Sequence, residues 1–177
     1  QEETAAPAKR KDRVMQWLPP FDNNSIKQLY ENEDRIGSLE YSPDMQTLFM
    51  TETLEGSEHL FAVRLSDPKT KHTIYKYKTT DVYADPGNLM TRCVFNCGGA
   101  GGRGGGPGGP PDGGGAGGVT VARIASDGQS IYLSGTQYFK DPQDKAPRPF
   151  ISKVNYMTGE SRKIFESAED VYETVNT

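Results

Sequence analysis

A turn-and-strand phrase occurs twice in this chain. Tyr41–Phe49 reads YSPDMQTLF, and Ala125–Tyr132 reads ASDGQSIY, with Asp44 and Asp127 83 residues apart. In both, a small polar residue and an aspartate precede Gln, then a hydroxyl residue and two apolar ones. The aspartate can bond its own backbone and close a turn, and Pro43 presets φ there. A duplicated phrase of this kind constrains the fold more than any other feature, because a repeat implies that each copy packs against the next.

The residues around the first phrase alternate with period two, the pattern of half-buried strands. Ser38, Glu40 and Ser42 interleave with Leu39 and Tyr41. Thr47–Thr51 (TLFMT) follows the first turn, and Glu55-Gly56-Ser57 turns the chain again. His59–Leu65 (HLFAVRL) is a third strand, Ser66–Thr70 (SDPKT) a further turn, and Thr73–Tyr77 (TIYKY) a fourth strand. After the second phrase come the same elements. Val119–Ile124 (VTVARI) precedes the Ser126-Asp127-Gly128 turn, and Ser130–Ser134 (SIYLS) answers Thr47–Thr51. Phe150–Val154 (FISKV) matches Phe61–Leu65 (FAVRL), 89 residues apart, and Arg162–Phe165 answers Thr73–Tyr77. The six-residue excess over the first spacing is assigned to a charged, proline-rich insert, Lys140–Pro149.

The expected fold is therefore all-β, with two four-stranded antiparallel blades of about 40 residues each, the size of a propeller blade. Two blades form an incomplete propeller, with a long Gly-rich loop inserted between them. The expected boundaries are 1–35 for a lead-in plus the last strand of a preceding blade, 36–80 for one blade, 81–118 for a connecting segment, and 119–177 for a second blade and the start of the next. Within the lead-in, Arg13–Leu18 reads as a short strand ended by Pro19-Pro20, and residues 26–35 as a helical turn or a solvated loop. A lone blade cannot cover both its faces, so companions are expected on either side.

Composition removes several function classes. Twenty Lys and Arg stand against 24 Asp and Glu, a net charge of −4, and the cations are scattered, so there is no electrostatic footprint for nucleic acid. No run of 18 apolar residues exists to span a membrane. His59 and His72 are the only histidines, and no metal or cofactor site is expected. A G-x-S-x-G nucleophile elbow is absent; Gly56-Ser57 and Gly135-Thr136 lack its flanking pattern. The chain thus carries no catalytic triad and no self-contained chemistry.

Other features keep two readings each. Fourteen of the 20 glycines lie between Gly98 and Gly118, either a flexible inter-strand loop or a lid, with Arg103 as its lone cation. No Gly-Lys-Ser/Thr follows the tract, so it is no phosphate cradle. Cys93 and Cys97 are either free thiols or a disulfide that needs a turn at Phe95-Asn96, since strand geometry would hold them too far apart. Trp17 reads as a packing residue between blades, and Asn23-Asn24-Ser25 is a formal glycosylation acceptor.

Lys11–Asp22 (KDRVMQWLPPFD), Tyr83–Arg92 (YADPGNLMTR) and Arg148–Gly159 (RPFISKVNYMTG) resemble the N-terminal β-propeller of prolyl-oligopeptidase-family serine peptidases, most nearly the glutamyl-endopeptidase-like branch. That resemblance implies a parent hydrolase in which further blades and an α/β-hydrolase domain are the partners. The propeller would gate the entrance and position peptide substrates, in a periplasmic or secreted protein. Tyr83, Asp85, Arg92 and Arg103 are the candidate gating residues, facing the pore or the missing catalytic domain. The alternative is a propeller-type protein-binding or scaffold module with no enzymatic domain attached.

Overall fold

Asp44 and Asp127 close the same turn. A computed structural model of the chain describes residues 11–95, 118–141, 143, 145–171 and 173. In it the Asp44 Oδ1 accepts from the Gln46 N–H at 3.0 Å, and the Asp127 Oδ1 from the Gln129 N–H at 2.9 Å. The Ser42 N–H donates to the Thr47 carbonyl at 2.8 Å, and the Ala125 N–H to the Ser130 carbonyl at 2.7 Å. Met45 and Gly128 both adopt positive φ, 58° and 67°.

The described residues are all-β, without an α-helix. The strands are β1 (Asp12–Trp17), β2 (Ile26–Asn32), β3 (Ile36–Tyr41), β4 (Thr47–Leu54), β5 (Ser57–Arg64), β6 (Asp67–Lys78), β7 (Asn88–Leu89), β8 (Thr91–Phe95), β9 (Val119–Ala122), β10 (Ser130–Gln137), β11 (Arg148–Asn155) and β12 (Ser161–Glu166). They form three sheets, ordered β1-β2, β12-β11-β10-β7 and β6-β5-β4-β3-β9-β8. Every pairing is antiparallel except β3 with β9, which meet in parallel at Tyr41 and Val121. The β3–β6 meander is the expected one.

Four expectations need correction. Residues 26–35 are not a helical turn or loop, because β2 occupies Ile26–Asn32 and pairs with β1. The sequence signal there is weak because polar residues flank the two apolar ones, Leu29 and Tyr30, that pack inward. A single 3-10 turn, Asn23–Ser25, precedes β2, its N–H groups held by the Asp22 carboxylate. Asp67–Thr70 belongs to β6, although the register jumps from Arg64↔Asp67 to Val63↔Lys71, so the intervening residues bulge from the ladder.

The third correction concerns the second copy, which is not a four-stranded sheet of the expected strands. Tyr41↔Leu48 in the first copy has its counterpart in the isolated bridge Ile124↔Ile131, and no ladder joins β9 to β10. Residues 88–90 are wedged between the two strands. The Met90 N–H donates to the Tyr132 carbonyl, and the Arg123 N–H to the Met90 carbonyl, each at 2.9 Å. Displaced from β10, β9 pairs with β3 and β8 instead.

The register between the copies also shifts the expected match of Phe61 with Phe150. Thr47 faces Arg64 across β4–β5, and Ser130 faces Asn155 across β10–β11. The Leu65 N–H donates to the Gln46 carbonyl as the Tyr156 N–H does to the Gln129 carbonyl. His59 therefore matches Phe150, and Phe61 matches Ser152. The shift is two residues, so the alternation of faces survives and the sequence pattern alone does not reveal it.

A bulge marks the outer strand pair of each copy, and of a third. Leu60 faces Tyr75 while Phe61 faces Thr73, leaving Ile74 extra. Ile151 faces Phe165 while Ser152 faces Lys163, leaving Ile164 extra. Val14 faces Tyr30 while Met15 faces Gln28, leaving Leu29 extra. The β1–β2 pair thus has the register of β5–β6 and of β11–β12. Three units follow one another along the chain, the first represented by its outer two strands.

Packing repeats with the register. One core joins Val14 and Tyr30 of the first unit to Leu48, Met50, Phe61 and Val63 of the second. The other joins Phe49, Leu60, Ala62 and Ile74 of the second unit to Ile131, Leu133 and Val154 of the third. Leu48 and Phe49 point to opposite faces, and both are buried. In each case the same face of one unit meets the opposite face of the next, a head-to-tail stack.

Candidate functional site

Among the described residues, head-to-tail stacking leaves one face uncovered at each end. Ile74, Leu60 and Phe49 on the covered face of the second unit correspond to Ile164, Ile151 and Tyr132 on the third. The first three are buried, at 5%, 2% and 1% exposure; Ile164 is 46% exposed. Tyr132, Ile151 and Phe165 are half-buried. At the other end Met15 and Trp17, 49% and 56% exposed, stand where the fully buried Phe61 and Val63 stand in the second unit. These two faces are the candidate interaction surfaces. Trp17, expected to pack between blades, lies exposed on one of them; its Nε1–H donates to the Asp22 carbonyl at 3.0 Å.

The two internal junctions are built differently. Between the first and second units lies a polar cluster. The Glu52 carboxylate, 3% exposed, accepts from Lys71 Nζ at 2.6 Å and Asn32 Nδ2 at 2.8 Å, with His59 Nδ1 at 3.3 Å. Burial pushes this carboxyl upward, but the hydrogen bonds from Lys71 and Asn32 outweigh it and hold it below the usual range. Lys71 Nζ also sits 3.8 Å from the centroid of the Phe61 ring. Burial, reinforced by the Glu52 charge, raises the nearby Tyr30 hydroxyl.

Between the second and third units the register replaces Glu52 with Gly135 and His59 with Phe150. A Cβ on Gly135 would lie 2.9 Å from both the Phe150 ring and the Gly87 Cα, so the aromatic ring needs glycine beneath it. Tyr75, whose hydroxyl donates to Glu58 at 2.9 Å, is raised by burial and by that carboxylate's charge.

His59 beside Glu52 has the outline of two members of a catalytic triad. Its Nε2, where a nucleophile would sit, is buried without a hydrogen-bond partner among the described residues. The pair faces the junction of two packed units, where no substrate carbonyl has access. Among the described residues no group of three or more His, Cys, Asp or Glu is placed to hold a metal ion.

The gating candidates do not converge. Tyr83, 43% exposed, lies in the turn after β6, where its carbonyl accepts from Gln137 Nε2 at 2.9 Å. Asp85 accepts from the Gly87 N–H at 2.8 Å, closing a tight turn over Pro86. Arg92 is on β8, in the six-stranded sheet, opposite Val121, and among the described residues no ion pair joins it to Asp85. Arg103 and the tract around it lie outside the described residues. Cys93 is disulfide-bonded; Cys97, the chain's one other cysteine, lies outside the described residues.

No helix among the described residues is long and apolar enough to cross a membrane. No protein-family model, curated protein or solved structure matches the chain.

Proposed function

We propose that this chain is an arc of a β-propeller that covers an α/β-hydrolase domain in an exported serine peptidase. Its work there is steric: it narrows the way in and positions peptide chains for the catalytic half. The observation that carries the propeller reading is the head-to-tail stack of three units sharing one bulge. A repeat that always offers the opposite face to its neighbour continues until it meets itself. The parallel contact of β3 with β9 supports it too, since the innermost strands of successive blades run side by side in the same direction.

The peptidase reading rests on the resemblance of Lys11–Asp22, Tyr83–Arg92 and Arg148–Gly159 to that family. A disulfide at Cys93 fits an oxidising compartment, and so supports export. No residue of this chain is given a catalytic role. The partners under this reading are further blades at the two uncovered faces, the hydrolase domain, and the peptide substrate.

The test is the reading frame around the chain. A G-x-S-x-G followed by Asp and His, in a product that hydrolyses peptides and loses selectivity for their size when residues 36–166 are deleted, supports the proposal. A frame that encodes more strand repeats and no hydrolase overturns it in favour of a scaffold module.

A further inference from the structure

β5 is flanked by β6 on one side and β4 on the other. β1 has the register of β5, and among the described residues β2 is its only neighbour. Among the described residues no strand occupies the side that β4 would take, so that side is an open edge, where N–H and C=O groups can pair with another strand. Below that edge runs a groove of about 500 Å³, lined by Asp12, Val14 and Met15 of β1 and by Ile36, Leu39 and Tyr41 of β3. Leu39, 37% exposed, is one of the exposed large apolar residues among those described, and it lines the groove.

We infer that this edge takes an extended strand, antiparallel to β1, in the part that β4 plays beside β5. The register specifies its chemistry. Met50, Leu48 and Glu52 of β4 face Phe61, Val63 and His59. The incoming strand therefore sets its residues opposite Met15, Trp17 and Arg13 in the same order. Apolar side chains belong opposite Met15 and Trp17, while Arg13 is already paired with Glu31 at 2.7 Å and sets no charge requirement. The residue in the place of Phe49 points the other way, into the groove over Leu39. Such strand addition draws affinity from the backbone ladder and selectivity from alternate side chains. The ten residues before Lys11 (QEETAAPAKR) have no apolar alternation to supply this strand. The inference rests on the repeat register, and not on the presence of a hydrolase.

The probe is a labelled synthetic peptide of the chain's own Asp44–Leu54 sequence, added to the whole protein and followed by fluorescence anisotropy and amide hydrogen exchange. The expected result is saturable binding that slows exchange across β1. The same peptide with Phe49→Asp should bind at least 10-fold more weakly, a comparison that leaves the protein unaltered. In the protein, Leu39→Asp should weaken binding similarly, while Ile151→Asp, on the uncovered face at the far end, should leave it unchanged. Absence of binding, binding indifferent to both Phe49→Asp and Leu39→Asp, or equal loss in Ile151→Asp would overturn the inference. A reading frame without a hydrolase would sink the peptidase proposal and leave these outcomes as they are.

Discussion

Ile74 and Ile164 are the extra residues of the same bulge in successive units, yet one is 5% exposed and the other 46%. The difference is the neighbour. The third unit lies over Ile74, and its Gly159 turn approaches the Ile74 carbonyl, whereas nothing described lies over Ile164. Ile74→Ala removes buried methylenes and leaves a cavity, an expected loss of about 2–4 kcal/mol. Ile164→Ala removes side chain that is already half in water, and should change stability by no more than ~0.5 kcal/mol. Urea denaturation of both variants checks this; equal losses would mean that Ile164 is covered as well.

Gly135 is the price of placing Phe150 at the junction of the second and third units. Its missing Cβ would meet the Phe150 ring and the Gly87 Cα at the same 2.9 Å. Gly135→Ala should therefore destabilise the fold by about 1–3 kcal/mol, the usual range for overpacking. Phe150→Leu in the same chain should restore only part of that, because the backbone at Gly87 cannot retreat as a ring can. A double-mutant cycle measures the coupling; strict additivity would show that the ring and the glycine are independent.

The polar junction gives the protein a defined response to acid. Glu52 has its carboxyl held below the usual 4.5 by Lys71 and Asn32, against the opposing effect of burial. A depressed carboxylate stabilises the fold above its unfolded pKa, and that contribution is lost as pH falls through the folded value. Glu52→Gln leaves Lys71 without its partner and should cost about 3 kcal/mol at neutral pH, the low end for a broken buried pair because Lys71 is one-third exposed. As pH falls below about 4.5 the unfolded chain takes up the proton first and the folded carboxylate only at lower pH, so the gap should narrow across that window. Denaturation series from pH 7 to pH 3 would show it; a constant gap would exclude Glu52 as its source.

Strands with a clear apolar alternation and the Asp turns were legible in the sequence, because both are local. β2 was not, since Leu29 and Tyr30 become core residues only through β4 and β5, which lie far along the chain. The matching of Phe61 with Phe150 missed by two residues for a related reason. A shift of two keeps every side chain on its face, so only the hydrogen bonds of Leu65 and Tyr156 reveal it. The wedge at Met90 could not be read either, because its bonds to Tyr132 and Arg123 follow from proximity alone. Among the site residues, Trp17 announced itself by size. Ile164 and Ile151 carried no mark, because exposure on a sheet face depends on what stacks there.

The turn between β4 and β5 offers a gain in stability. Glu55 and Gly56 connect β4 to β5 as a two-residue loop between the paired Leu54 and Ser57, with φ of 50° and 73°. Two left-handed residues in succession make a type I′ turn, whose twist matches that of the strands and which favours Asn-Gly. Glutamate is strained at the first position, where its Cβ crowds the backbone. Glu55→Asn should therefore stabilise the protein by about 0.5 kcal/mol. Gly56→Ala should destabilise it by roughly 1 kcal/mol, since a Cβ there is strained although nothing lies within contact distance of it. The Gly56 carbonyl accepts from both the N–H and the hydroxyl of Thr79, so distortion of this turn is transmitted to the end of β6. Thermal melts of the two variants decide the matter, and a Gly56→Ala protein as stable as wild type would show that the turn relaxes out of the left-handed region.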